Sequence, residues 1–102
     1  MKPARLRDAA HDDIERAFQY YLLEAPHMVQ AFVDAFNVAR KHIEQHPGTG
    51  SLRYADVTDL PGLRFWSFSR FPYLMLYQER DTWLDVLRVL HQASDIPAHL
   101  DH

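Results

Sequence analysis

The 102-residue sequence contains no cysteine and only three glycines, and both shortages narrow the chemistry open to it. Without cysteine there is no disulfide framework and no thiolate metal site, which favours a reducing, cytoplasmic environment. The glycines are too scattered to form a glycine-rich phosphate loop. No apolar run approaches the ~20 residues of a membrane span, and the first residues lack the apolar core of a signal peptide. We therefore expect a soluble protein.

The chain also contains fewer basic than acidic residues. Eleven Lys and Arg residues stand against 14 Asp and Glu residues, so the formal net charge is −3 with histidine neutral. Proteins that grip nucleic acid by its phosphates usually carry an excess of Lys and Arg. The balance favours a protein partner, although it leaves room for a local basic patch. No carboxylate dyad or Ser–His–Asp arrangement is specified, and no cofactor is expected.

The longest hydrophobic stretch lies in the second half of the chain and predicts a small antiparallel sheet. Three runs are rich in the aromatic, β-branched and large aliphatic residues that suit strands, and short turns separate them. The predicted strands are residues 63–69, 73–79 and 83–91.

Apolar residues on the last predicted strand occupy both parities. Leu84, Val86 and Leu90 fall on one face, whereas Leu87 and Val89 fall on the other. Both faces of the sheet therefore need cover.

Two segments before the sheet repeat apolar residues at helical spacing, and together they predict a helical hairpin. Pro26 ends the first helix, 8–25, and starts the second, 26–46. Asp8 is predicted to cap the first helix, and residues 4–7 to form a short edge strand. The expected core members are Phe18, Tyr21, Phe32, Phe36, Ile43, Leu76, Leu87 and Val89.

These elements predict one α+β domain over residues 1–102, in the order β-α-α-β-β-β with a short C-terminal tail or helix. The helical hairpin packs on one face of the sheet, which leaves the other face short of cover. A partner protein is one solution, and the tail or a second copy of the chain is the alternative.

Several short motifs occur in a characteristic order, and that order resembles the RelE/ParE superfamily of toxins from type II toxin–antitoxin systems. The likeness spans nearly the whole chain and is greatest to the ParE branch. The motifs are Asp13-Ile14 with Tyr20-Tyr21, Pro47-Gly48 with Gly50, Gly62-Leu63-Arg64, Phe71-Pro72-Tyr73 with Tyr77, and Val86-Leu87-Arg88-Val89-Leu90-His91.

The resemblance implies a ParE-like toxin that inhibits DNA gyrase, serves plasmid or genome stabilisation and is neutralised by a small cognate antitoxin. RelE-like relatives instead cleave mRNA on the ribosome, and a non-toxic protein-binding module on the same scaffold is a third reading. The chain departs from the family after His91, where Gln92-Ala93-Ser94-Asp95 keeps only the Asp of a frequent Arg-Asp pair.

The two toxin hypotheses make different demands on the residues. A gyrase inhibitor needs no catalytic group, whereas a ribonuclease needs an acid, a base and cations for the phosphate, for which Arg64, Arg88 and His91 are the candidates. By strict alternation Arg88 and His91 point to opposite faces unless a bulge or strand end separates them. Purely structural roles are also open to both: a carboxylate pair for Arg88 and a local hydrogen bond for His91. We favour the gyrase inhibitor.

A mixture of aromatic and basic residues on the first long strand predicts a contact surface for a partner. The predicted partner-binding residues are Arg64, Trp66, Phe68 and Arg70, which share one parity, together with Arg88 and His91.

His42 and His46 have the i, i+4 spacing that presents two imidazoles to one metal ion. No third ligand is evident near them, so we interpret them as a solvated pair and expect no metal site.

Overall fold

The computed structural model describes residues 1–100, which form a four-stranded sheet with helices on both faces. Two short 3-10 turns, Pro26–Met28 and Pro47–Thr49, follow the two long helices. The strands are β1 (Ala4–Leu6), β2 (Arg64–Ser67), β3 (Tyr73–Glu79) and β4 (Leu84–His91), and the helices are α1 (Asp8–Glu24), α2 (Val29–Gln45), α3 (Ala55–Thr58) and α4 (Ile96–Leu100).

The sheet has the strand order β1-β4-β3-β2 and confirms the predicted α+β arrangement. β3 runs antiparallel to both β2 and β4, as predicted. β1, however, pairs in parallel with β4, so the sheet is mixed rather than wholly antiparallel. The helical hairpin lies between these two strands in the chain, and a connection of that length allows parallel pairing.

The start of α1 corrects one prediction. Asp8 is the first helical residue, the capping position belongs to Arg7, and no side chain bonds to the free amides of the first turn. Asp8 instead places its charge near the positive end of the helix dipole. Its carboxylate acts through the dipole alone.

One core fills the space between the helical hairpin and the sheet. Of the eight predicted core residues, Phe32, Ile43 and Val89 are buried in this core, and Phe18, Tyr21 and Phe36 are half-buried at it. The other two, Leu76 and Leu87, are buried on the opposite face of the sheet. Phe18 and Phe36 line an open groove between α1 and α2, which exposes one side of each ring.

A second core covers the opposite face of the sheet, so the expectation that this face is short of cover is wrong, and the alternative of cover by the C-terminal tail is the one found. The chain covers it with its own short helices, α3 and α4, which are too short to show helical periodicity in the sequence. The buried members are Leu63, Leu74, Leu76, Leu87, Leu90, Ile96 and Leu100, with Tyr54, Ala55, Leu60 and Phe65 packed around them.

Asp85 is a buried charge on β4, and it holds two arginines at one end of the sheet. Arg7 donates to its carboxylate from Nε at 3.0 Å and Nη2 at 2.8 Å, and Arg80 donates from Nη2 at 3.0 Å. Burial alone would raise the pKa of Asp85, but these hydrogen bonds and the two positive charges outweigh it, so the pKa lies below its ordinary value.

Both edges of the sheet are occupied by the chain itself. On β2, the amide and carbonyl of Phe65 exchange hydrogen bonds with Ser51 at 2.9 and 3.0 Å. On β1, the amide of Ala4 donates to the buried carboxylate of Glu44 at 2.8 Å. Neither edge therefore offers an uninterrupted row of free backbone groups.

Candidate functional site

A bulge in β4 determines which of its apolar side chains share a face of the sheet. Leu76 pairs with Arg88 and Tyr77 pairs with Val86, so Leu87 has no partner of its own on β3. The extra residue reverses the alternation beyond it. Val89 consequently faces the helical hairpin together with Val86, whereas strict alternation would separate them.

Arg88 and His91 both line one cavity. The register from Arg88 to His91 is regular, because the bulge precedes Arg88, so the two residues keep opposite parity on the strand as predicted. They reach the same cavity because it lies along β4 beyond Val86, the last residue that pairs with β1. The cavity has a volume of about 280 Å³ and opens between α1, β4 and α4. Its lining also includes Tyr20, Tyr73 and His99.

Arg88 is held by Asp13 on α1, whose side chain is almost fully buried. Nε and Nη2 of Arg88 donate to the two oxygens of that carboxylate at 2.7 and 2.8 Å. Nη1 reaches the carbonyl oxygen of His99 at 3.2 Å. The hydrogen bonds to Asp13 raise the pKa of Arg88 above its ordinary value, against the opposing effect of burial. Arg88 is thus a fixed, paired cation.

Asp13 also supports the bulge directly. The amide of Val89 donates to its Oδ2 at 2.9 Å, and the exposed Arg16 donates to Oδ1 at 2.8 Å. One carboxylate therefore binds two guanidinium groups and a backbone amide of β4 that lies beyond the pairing with β1. The Asp13-Ile14 motif offered a starting point in the sequence, but its partner on β4 was not predictable from spacing.

His91 lies at the exposed rim of the cavity. Its Nδ1 accepts a hydrogen bond from the amide of Ala93 at 3.0 Å, so the proton of a neutral ring resides on Nε2. The ring meets Tyr73 edge-on, with centroids 5.4 Å apart. Burial raises the pKa of Tyr73, and the neighbouring Tyr21 and Tyr20 add to the shift. The phenol is therefore neutral at physiological pH.

Arg64 is not part of this cavity. Its Nη1 donates to the carbonyl oxygen of Gly50 at 2.7 Å, on the side of the sheet where Tyr77 donates to Pro47 at 2.6 Å. The backbone passes so closely here that an added Cβ on Gly50 would contact the hydroxyl of Tyr77 and lie 3.0 Å from the carbonyl oxygen of Phe65. Arg64 therefore closes a turn, away from His91.

The other predicted partner-binding residues separate into different environments. Trp66 stacks on His42 with ring centroids 3.9 Å apart and an interplanar angle of 13°. Phe68 is 4% exposed and packs against Phe32, so it belongs to the core and not to the surface. Arg70 is exposed in the turn between β2 and β3.

His42 and His46 have neighbouring rings, with centroids 5.4 Å apart. The hydroxyl of Thr49 donates to the carbonyl oxygen of His46 at 2.8 Å. Its oxygen therefore accepts a hydrogen bond from Nε2–H of His42 at 2.9 Å. Within residues 1–100, no group of three or more His, Cys, Asp or Glu side chains is placed to hold a metal ion. The same range contains no helix that is long and apolar enough to cross a membrane.

The groove between α1 and α2 is a second candidate surface, with a volume of about 390 Å³. The groove was not predicted from the sequence, because helical spacing indicates that all the apolar residues of the two helices face the sheet. The groove is lined by Ile14, Phe18, Phe32, Val33 and Phe36, with His11, Glu15 and Asn37 at its borders.

The strand and helix order, the mixed sheet and the short closing helix define a RelE/ParE-type domain. A family model described as "ParE toxin of type II toxin-antitoxin system, parDE" matches residues 4–96. The chain therefore belongs to the ParE toxin family.

A solved structure shares the fold. A chain of "Chromosomal ParDE TA system from P. aeruginosa" superposes with a TM-score of 0.71 at 19% sequence identity, and the match covers 89% of this chain and 96% of that chain. At this identity the similarity concerns the fold. The comparison with curated proteins found no match.

Proposed function

We propose that this ParE-family toxin inhibits DNA gyrase by binding to it, and that a small cognate antitoxin keeps it inactive in the cytoplasm. The pairing of Arg88 with Asp13 is the observation that decides between the two possible targets. The guanidinium of Arg88 is engaged by Asp13, Arg16 in the same cavity pairs with that carboxylate too, and Arg64 lies elsewhere. Within residues 1–100, no unpaired arginine therefore lies beside His91. Cleavage of mRNA needs such a cation at the scissile phosphate, whereas binding a protein needs only a complementary surface.

The groove between α1 and α2 is the surface that we propose for the antitoxin. Phe18, Val33 and Phe36 line it and are only half-buried by the chain itself. An amphipathic helix from a partner can bury such a groove with its apolar face. The covered second face of the sheet gives no support to this proposal, so family membership and the groove support it together.

Expression without the antitoxin tests the target. Gyrase inhibition should induce the DNA-damage response and leave translated mRNA intact, and His91→Ala should remain toxic because the imidazole performs no chemistry. His27→Ala, which changes an exposed histidine on the turn after α1, is the matched control. Codon-phased mRNA cleavage that disappears only in His91→Ala would refute the gyrase proposal.

Co-purification with the product of the neighbouring gene tests the antitoxin surface. Val33→Lys places a charge in the groove and should reduce the retained partner at least about tenfold, since burying an unpaired ammonium is strongly unfavourable. Val38→Lys is the control on the same helix, because Val38 is 62% exposed and lies outside the groove. Equal retention by the two variants would remove the groove from the interface.

Ribosome-dependent mRNA cleavage is the second candidate, and one observation favours it. Arg88 and His91 line one cavity, as a nuclease site would require. It ranks second because the same guanidinium is bound to Asp13. A chain that arrests no growth when expressed alone would support the third reading, a non-toxic binding module on this fold.

A further inference from the structure

Arg70 occupies a backbone conformation that arginine rarely adopts. Its φ is 70°, in the left-handed region, and the only other non-glycine residue of 1–100 with positive φ is Asp59 at 54°. Aspartate and asparagine tolerate this region because their short polar side chains bond locally, whereas arginine gains no such compensation. Asn or Gly would therefore fit position 70 with less strain.

The side chain of Arg70 makes no contact that offsets this strain. It is the only arginine in the described part of the chain with neither an ion pair, a side-chain hydrogen bond nor an aromatic ring beneath it. The others comprise Arg7, Arg16, Arg40, Arg80 and Arg88 in ion pairs, Arg64 bonded to a carbonyl, and Arg5 and Arg53 over aromatic rings. Nothing within residues 1–100 explains why an arginine stands here.

The turn around Arg70 is anchored on both sides, so the strain has no easy release. Phe68 and Phe71 are 4% and 7% exposed, and the ring of Phe71 meets those of Tyr21 and Phe32 at 5.3 and 5.5 Å. The amide of Phe68 also donates to the carbonyl of Tyr73 at 2.9 Å. Two core aromatics therefore fix the backbone on either side of Arg70, whose side chain is exposed.

We propose that Arg70 contacts the cellular target of the toxin by pairing its guanidinium with a carboxylate on a protein surface. The proposal rests on the function proposed above. Strained residues persist where the surrounding structure fixes them and where their side chains serve a function. A guanidinium binds a carboxylate through two parallel hydrogen bonds, and the rigid turn reduces the entropy lost on binding.

A protein carboxylate suits Arg70 better than a nucleic-acid phosphate. The chain carries a net charge of −3. Five of the remaining arginines are already paired with carboxylates. A nucleic-acid backbone is usually followed by several unpaired cations, and a single one at a turn is better matched to one acidic residue.

Two measurements on Arg70→Asn test the proposal. The melting temperature should rise by about 2–5 °C, because asparagine relieves the backbone strain. Growth arrest on expression without the antitoxin should weaken at least about tenfold, measured as surviving colonies. Arg53→Asn removes another exposed arginine and should leave the growth arrest unchanged, which controls for net charge.

The outcomes separate this inference from the proposed function. A toxic wild-type chain with an equally toxic Arg70→Asn variant overturns the role of Arg70 alone, and so does a melting temperature that falls. A wild-type chain that arrests no growth refutes the toxin function, and the inference falls with it. Binding of a single-stranded RNA oligonucleotide that disappears in Arg70→Asn would replace the protein carboxylate by a phosphate and overturn the proposed partner.

Discussion

Replacing Asp13 by alanine should be among the most damaging single substitutions in this protein. The carboxylate accepts from Nε and Nη2 of Arg88 at 2.7 and 2.8 Å and from the amide of Val89 at 2.9 Å, and it is almost fully buried. Asp13→Ala leaves the guanidinium of Arg88 and the amide of Val89 without this acceptor. Removing one member of a buried ion pair costs about 3–5 kcal/mol. That is a large part of the about 5–15 kcal/mol that stabilises an ordinary domain.

Chemical denaturation of a double-mutant cycle measures this network. Asp13→Ala, Arg88→Ala and the double variant should show a coupling of about 2 kcal/mol or more, because either single change already breaks the same bonds. Arg16→Ala is the control. Its side chain is 69% exposed although it bonds to the same carboxylate, so its removal should cost less than about 1 kcal/mol.

Two results would refute this reasoning. Additive single variants would show that the Asp13–Arg88 contact does not couple α1 to β4 energetically. Equally, an Asp13→Ala protein that keeps slow hydrogen exchange at the amide of Val89 would show that the bulge persists without its acceptor. In either case another part of the structure must determine the register of β4.

Three further predictions concern packing and pH. Gly50→Ala should lower the unfolding free energy by about 1–3 kcal/mol, because a Cβ there meets side-chain and backbone atoms. Gly48→Ala is the control, because a Cβ there has open space and should change the unfolding free energy by less than about 1 kcal/mol. Similar values for the two variants would contradict the close approach at Gly50. Phe32→Ala should cost about 3–5 kcal/mol by thermal or chemical unfolding, and the half-buried Phe36→Ala clearly less, so the reverse order would contradict the groove. Folding lowers the pKa of Asp85, so its ion pairs stabilise the protein above the unfolded pKa of 3.8, and this stabilisation disappears as the pH falls through the lower folded pKa. The free-energy cost of Asp85→Asn should therefore be present at pH 7 and smaller at pH 3. An equal cost at both pH values would refute this prediction.

The elements with strong local patterns were predictable from the sequence. β3 begins and ends at the predicted residues, because Pro72 and the polar turn after Glu79 mark its limits clearly. The helical hairpin agrees to within a few residues, since Pro26 interrupts two amphipathic segments. These features depend on propensity and periodicity, which act over short distances in the chain.

The candidate site was harder to predict because it depends on contacts between residues that are far apart in the sequence. Nothing in the run from Val86 to His91 distinguishes a regular strand from a bulged one, since both parities are apolar on either interpretation. The bulge is supported by Asp13, which lies more than 70 residues away in the sequence. Such a long-range contact leaves no local pattern to read.

The closed sheet edges have a consequence for how the free chain behaves at high concentration. A fifth strand, from another copy or from a partly unfolded chain, would first have to displace Ser51 from Phe65 or Glu44 from Ala4. Displacing Glu44 would expose a buried carboxylate that also pairs with Arg40. These local contacts interrupt both edges and oppose the addition of a further strand to the folded sheet.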